Sequence, residues 1–363
     1  MPPVSNAREE LARHKQANVM LARVAGSLYW MSRYLERAEN QARLIDVNLQ
    51  LLLDFGHVTD EQLKAHWLPI VRSSGDEEQF NELYDTADSE SVTEFMTFRT
   101  ENPNSLVSCI SNARENARQV RDQISSEMWE VLNDAYHFIQ SADAKTVWHE
   151  GASAFYDKIK RFSHLFQGIT VSTFSRNEGF EFIQFGKYLE RADQITRLLD
   201  IKYHILLPSA SDVGGAVDTA QWHAVLRSAS ALEAYRRYYV ADVFYKKVIE
   251  FLIFDDSFPR SLKFCCQEMD HCIELFTESS AEAGACSAAI ERFRAFLEKL
   301  NQLSVEDIFS QGLHEFLDEA QVEVGSIGGQ LYSTYMYFPP VDLQAEIRFQ
   351  QQQEQQQQKE PSP

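Results

Sequence analysis

Glycine and proline are both scarce in this chain of 363 residues, at 14 and 10. A sequence so short of turn residues does not read as an all-β sandwich or a glycine-punctuated α/β enzyme, and long helices are expected instead. Basic residues are also short, with 34 Lys and Arg against 54 Asp and Glu, a net charge of −20. That balance excludes a nucleic-acid binder, whose affinity rests on cations meeting phosphate. No apolar run approaches the roughly 18 residues a membrane span needs. The opening MPPVSNAREELARHKQAN is charged throughout and lacks the apolar core of a secretory signal, so a soluble cytoplasmic protein is expected.

Recognisable chemistry is missing too. The five cysteines are odd in number and contain no CxxC pair, which reads as reduced thiols rather than a disulfide framework. The histidines are scattered, no HxxxH or HExxH occurs, and no bound metal is expected. There is no GxxxxGK[ST], GxGxxG or GxSxG, so neither a cofactor nor a nucleophilic Ser or Cys arrangement is indicated.

What is present is internal similarity. Residues 34–47 read YLERAENQARLIDV and residues 188–201 read YLERADQITRLLDI, with eight of fourteen positions identical. In the same order, Trp67, Arg72 and Ser73 match Trp222, Arg227 and Ser228, VTEFMTFRTENPNSL (92–106) matches VIEFLIFDDSFPRSL (248–262), and Cys109 falls near Cys265. Three ordered blocks at offsets of 154 to 156 residues predict a duplicated unit. Leu28, Met31, Leu35, Ala38, Ala42, Ile45, Leu49 and Leu52 follow the three-and-four spacing of a helix with one buried face. Phe182, Phe185, Leu189, Ala192, Thr196, Leu199, Tyr203 and Leu206 repeat it, until Pro208 and a Ser/Asp/Gly segment stop the helix. Further helices are expected over Trp67–Arg72 and Trp222–Tyr239, and a helix then a turn before Pro103 and Pro259. Only Ile169–Phe174 has strand-like composition, and its helical neighbours favour helix or loop.

The expected fold is therefore all-α, with two homologous helical units packed as one bundle of approximate two-fold symmetry. The units run over 20–170 and 171–338. Residues 1–19 form an extension or a mis-assigned start, and 339–363 a disordered glutamine-rich tail.

Two polar constellations stand out. On the first repeated helix Glu36, Glu39, Arg43 and Asp46 share one stripe, and on the second Glu190, Asp193, Arg197 and Asp200 do the same. A two-fold axis would bring both stripes into one cleft, with carboxylates for acid–base work and arginines for an anionic substrate. The plainer reading is that Glu39–Arg43 and Asp193–Arg197 are i,i+4 pairs that tie packed helices together. In SNARENARQVRDQIS (111–125), Arg114, Arg118 and Arg121 form a positive stripe that would receive an anion or a partner, or else a solvated face. Tyr29, Trp30, Trp67, Trp129, Trp148 and Trp222 read as core, and Ser105 and Ser261 behind the prolines as helix-terminus residues.

Five ordered blocks resemble the alpha-E family: MLARVAGSLYWMSRYLERAENQARLID, ARENARQVRDQISSEMWE, WHAVLRSASALEAYRRYY, VIEFLIFDDSFPRSL and GLHEFLDEAQ. Positions matching them include Tyr34, Glu36, Arg37, Glu39, Arg43, Arg114, Glu115, Asn116, Arg118, Arg121 and Asp122. Glu190, Arg191, Asp193, Arg197, Pro259 and Arg260 match in the second half. The family pattern opens at Met20-Leu21-Ala22-Arg23. The resemblance implies a bacterial helical domain that keeps company with a circularly permuted ATP-grasp ligase and a transglutaminase-like peptidase. It carries no established catalytic residues. The expected function is a non-ATP-binding partner of that amide ligase in synthesis or processing of a peptide or peptide-like amide. The alternatives are an enzyme using paired Glu and Asp acid–base groups, and a purely structural scaffold.

Overall fold

The computed structural model describes residues 20, 22–55, 60–204, 214–239, 243–279 and 286–337. The expected extension at 1–19, the tail at 339–363, Leu206 and Pro208 lie outside them. Among the described residues the chain is helical, without a strand. The first half comprises α1 (Ala22–Phe55), α2 (Asp60–Ser74), α3 (Glu77–Leu83), α4 (Ser89–Thr97), α5 (Leu106–Gln119), α6 (Ser126–Gln140), α7 (Ala144–Glu150) and α8 (Ala152–Thr173). The second comprises α9 (Glu178–His204), α10 (Ala216–Ser228), α11 (Leu232–Tyr238), α12 (Tyr245–Phe254), α13 (Leu262–Ser279), α14 (Ser287–Gln302), α15 (Val305–Gln311) and α16 (Leu313–Leu331), closed by a π-helical turn at Tyr332–Met336.

The two long helices α1 and α9 pack along each other at the centre. Their apolar spacing explains this: Leu28, Met31, Leu35, Ala38, Ala42 and Ile45 are buried on α1, and Phe182, Phe185, Leu189, Ala192, Thr196 and Leu199 on α9. Burying one large apolar side chain contributes about 1.5–3 kcal/mol, so such a face decides where a helix lies. Small residues set how closely the pair approaches. A Cβ on Gly186 of α9 would stand 2.7 Å from the Tyr29 carbonyl oxygen of α1, and the matching place on α1 holds the fully buried Ser32. Helix α5 then covers α1 and α13 covers α9, while α8 and α16 add an outer layer to α1 and α9 respectively.

Local signals behave as the sequence leads one to expect. Ser105, behind Pro103, caps α5 by accepting the Ser108 N–H at 3.2 Å, and Ser261, behind Pro259, accepts the Phe264 N–H at the same distance. Ile169–Thr173 is the last part of α8, which runs past the expected unit boundary at 170. Trp67 and Trp222 are buried, but Trp148 is 38% exposed and is not a core residue. The five cysteines are all buried and free.

Two expected helices end early. Helix α5 stops at Gln119, so Arg121 sits in the turn behind it rather than on the helix of Arg114 and Arg118. The expected helix over Trp222–Tyr239 breaks into α10 and α11 at Ser230, which is forced to φ +54°. The matching position behind α2 is Gly75, at φ +81°. A left-handed residue closes both helices, and only glycine adopts that conformation without a steric penalty. Ser230→Gly is therefore expected to stabilise the chain by about 1 kcal/mol, and Gly75→Ser to destabilise it by a similar amount. Denaturant midpoints of the two variants, moving in opposite directions, check this.

Candidate functional site

Where α1 and α9 cross, each helix hands its arginine to the other's glutamate. Arg37 grips Glu190 with two nitrogens at 2.6 and 3.0 Å, and Arg191 grips Glu36 at 2.7 and 3.3 Å. Arg33, one turn before Arg37, adds a bond to Glu190 at 2.9 Å. Glu36 receives a second guanidinium at 3.1 Å from Arg260, which also bonds Glu39 at 2.7 Å. Glu39 further pairs with Arg43 of its own helix and lies 3.4 Å from His164. All three glutamates are fully buried. Each exchanged arginine is tied as well to the proline turn of its own half, Arg37 to the Asn104 side chain at 2.8 Å and Arg191 to the Pro259 carbonyl at 3.2 Å.

Burial alone raises a carboxyl pKa, because the charged form loses water. Around Glu190 the Arg37 and Arg33 guanidinium groups outweigh that effect and bring it to about 2. Burial likewise opposes ionisation of Glu39, yet Arg260, His164 and Arg43 hold it well below the usual carboxylate range. These carboxylates are charged and saturated, unlike the raised-pKa acid or poised base of acid–base catalysis.

The expected single cleft of two stripes is not what the packing produces. Glu36 and Glu190 reach across to the opposite helix, whereas Asp46 turns outward to Lys160 of α8 at 2.8 Å. Asp200 turns to His314 of α16 at 2.7 Å. The i,i+4 pairs Glu39–Arg43 and Asp193–Arg197 both form, the latter at 2.8 Å. Arg114 lies over the rings of Trp129 and Tyr136, at 5.2 and 4.5 Å, and Arg121 over Trp129 at 5.2 Å. Arg118 parts from them and pairs with Glu115 at the surface, 2.6 Å away. Among the described residues no three His, Cys, Asp or Glu side chains gather as a metal would require. No helix there is long and apolar enough to cross a membrane.

The stripes leave out Arg33, Arg37, Arg191 and Arg260, the cations that hold the cluster. Arg37 and Arg191 lie in the identical YLERA segments, one residue behind the exchanged glutamates. Arg260 falls in the third matched block, where the first half has Asn104. The repetition was a usable signal for three of the four.

Beside the cluster the helices leave a crevice with about 30 Å³ of free room. Three matched pairs line it, Asn40 with Gln194, Leu44 with Leu198 and Ser73 with Ser228, together with Arg191, Arg197 and Arg260. No carboxylate is among its lining residues. Arg197 donates to Asp193 at 2.8 Å and to the Ser73 carbonyl, at the C-terminus of α2, also at 2.8 Å. The crevice shares Ser73, Arg197 and Ile201 with a wider cleft of about 750 Å³, where Glu77, Glu78 and Asp200 stand.

Arg37→Ala or Arg191→Ala leaves a buried glutamate short of its main partner, and each is expected to cost about 3–5 kcal/mol. Arg118→Ala, at an exposed pair, is expected to stay within about 0.5 kcal/mol, and urea titrations compare the three. Acid sensitivity should follow groups whose folded pKa values are depressed, among them His66, Glu39 and Glu190. Burial holds His66 at about 4 rather than 6.5, so its contribution is full above pH 6.5 and is lost as pH falls through 4. Glu190 contributes fully above pH 4.5 and loses that contribution as pH falls toward 2. Unfolding midpoints should decline below pH 6.5 and more steeply below 4.5, and His66→Leu should remove the first part alone.

Comparison with known proteins places this geometry in a family. Residues 20–336 match the model of Alpha-E, described as a predicted alpha-helical domain with a conserved ER motif. The uncharacterized proteins Mb2597 of Mycobacterium bovis and MT2643 of Mycobacterium tuberculosis are each 26% identical over 316 residues, covering 82% of this chain and 34% of their own length. Rv2567 of Mycobacterium tuberculosis is 25% identical over the same span and shares. The chain thus spans about a third of the length of the curated relatives it matches. No solved structure matches it. With Glu36-Arg37 and Glu190-Arg191 as its exchanged Glu-Arg pairs, the chain belongs to the Alpha-E family.

Proposed function

We propose that the chain is a non-catalytic helical partner that holds a substrate for an ATP-grasp amide ligase, alongside a transglutaminase-like peptidase, in making or processing a peptide or peptide-like amide. The observation that carries this reading is the saturation of Glu36, Glu39 and Glu190. Each is buried between guanidinium groups, so the best-placed carboxylates serve to join helices rather than to move protons. That speaks against an enzyme with paired acid–base carboxylates. The arginine-lined crevice beside the cluster favours binding over a purely structural scaffold. The length of the mycobacterial relatives fits a domain that works beside further protein. Five free, buried thiols suit the cytoplasm, where both proteins would work.

The same reading takes the two halves as a duplicated unit related by an approximate two-fold axis. Its support is the reciprocal Arg37–Glu190 and Arg191–Glu36 pairs, the like-placed caps Ser105 and Ser261, and the like-placed left-handed residues Gly75 and Ser230.

The test is to co-express the chain with the ligase, isolate the complex, and assay amide formation by each protein alone and by both. The ligase is expected to consume ATP on its own but to form product at least about tenfold faster with the chain, the scale of one well-made charged contact. Product formation by the chain without the ligase would sink the proposal.

A further inference from the structure

The buried network is not electrically balanced. Among the described residues Arg33, Arg37, Arg43, Arg191 and Arg260 form direct ion pairs with the three carboxylates of Glu36, Glu39 and Glu190, and the buried Asp76, reached from Arg37 through Asn104, is a fourth carboxylate against five cations. The neighbouring Arg197–Asp193 pair leaves that surplus unchanged. Uncompensated buried charge is expensive, and it is least expected as a cationic excess in a chain of net charge −20. Two of these arginines, Arg191 and Arg260, line the crevice together with Arg197, while their carboxylate partners do not.

Donors are also left over there. The buried Asn40 amide nitrogen has no hydrogen-bond partner, although its oxygen accepts from Arg260 at 2.7 Å. Among the described residues Arg197 uses Nε and Nη1 and makes no bond through Nη2. Planar guanidinium forks and an amide N–H suit a carboxylate, and 30 Å³ admits a small planar head rather than a bulky polyphosphate. The adjoining cleft, reached past Arg197, has room for the remainder of a molecule. Its lining carries Glu77, Glu78 and Asp200, with Arg72 bonded to Glu77 at 2.7 Å and His314 to Asp200 at 2.7 Å, a mixed polar surface that suits the amide groups and amine of a peptide body.

We propose that the crevice seats the free C-terminal carboxylate of a short peptide between Arg191, Arg260 and Arg197, with the Asn40 amide as a fourth donor and the peptide body in the adjoining polar cleft. This rests on the substrate-holding role above and names the class of substrate.

The full chain is titrated by calorimetry with the dipeptide Ala-Ala, with Ala-Ala C-terminal amide and with inorganic phosphate. Saturable binding of Ala-Ala, weakened about tenfold or more by amidation, is the expected result, since a charge-assisted hydrogen bond is worth roughly that factor. Arg197→Met should weaken Ala-Ala binding to a similar degree with the unfolding midpoint nearly unchanged, because Arg197 is a third exposed and bonds only Asp193 and a helix end. Arg197→Lys, keeping the charge without the fork, should retain more binding than Arg197→Met. Equal affinity for the amide, tighter binding of phosphate than of Ala-Ala, or no saturation at all overturns the assignment. Ligase stimulation that persists in a chain with no dipeptide binding overturns the carboxylate seat alone. Dipeptide binding without ligase stimulation overturns the partnership and leaves the seat standing.

Discussion

The exchange of glutamate and arginine between α1 and α9 is the constraint on which the remaining packing depends. Two fully buried carboxylates, Glu36 and Glu190, lie at the crossing of the central helices, and neither is satisfied by its own helix. Apolar faces alone would tolerate sliding or rotation of one helix on the other at modest cost. A bidentate guanidinium–carboxylate contact does not, because its geometry is lost within an ångström or so while the cost of the stranded charge remains. Register between the halves is thus fixed electrostatically and filled in by Leu28, Met31, Phe185 and Leu189 around it. The proline turns are bound to the same point through Asn104, Pro259 and Arg260, which sets how α5 and α13 enter.

Position by position, the matched segments of the two halves differ in charge. Arg33 joins the Glu190 clamp, but its counterpart Lys187 is buried, bonds Gln184 and lies 4.1 Å from the Tyr188 ring centre. Burial draws that ammonium down to about 8. Asn104 on one side is answered by Arg260 on the other. The counterpart of Arg197, which reaches the end of α2, is Arg43, which turns back to Glu39. These departures concentrate cations on one side of the crossing. The crevice lined by Arg191, Arg197 and Arg260 is not repeated residue for residue, since Arg37, Arg43 and Asn104 stand in the matching places.

Much of the fold was legible because a buried helix face leaves a periodic trace, and the trace occurs twice. Leu28 to Ile45 and Phe182 to Leu199 are buried where the spacing puts them. The candidate site was legible only in part. Spacing places Glu36, Glu39 and Arg43 on one stripe of one helix, and the Glu39–Arg43 pair forms. It says nothing about which residue of a distant helix stands opposite, so Arg37 and Arg191, a hundred degrees round from the glutamates beside them, escaped notice as partners. Arg121 illustrates a different limit: nothing in a polar run marks the helix end at Gln119, and cation–π contact with Trp129 is a tertiary fact. Trp148 is exposed although tryptophan is usually buried, a preference that holds on average and not at each position.

The exchange also makes each half depend on distant sequence. Glu36 has its partners 155 and 224 residues onward, at Arg191 and Arg260, and Arg37 finds Glu190 at a separation of 153. A first half without the second holds the right apolar faces but leaves Glu36 and Arg37 without these partners. Loop closure of such length is slow compared with forming a local helix. A chain cut short before the Pro259 turn leaves Glu36 without Arg260 and, where α9 is also missing, without Arg191, and a stranded charge of this kind costs about 3–5 kcal/mol.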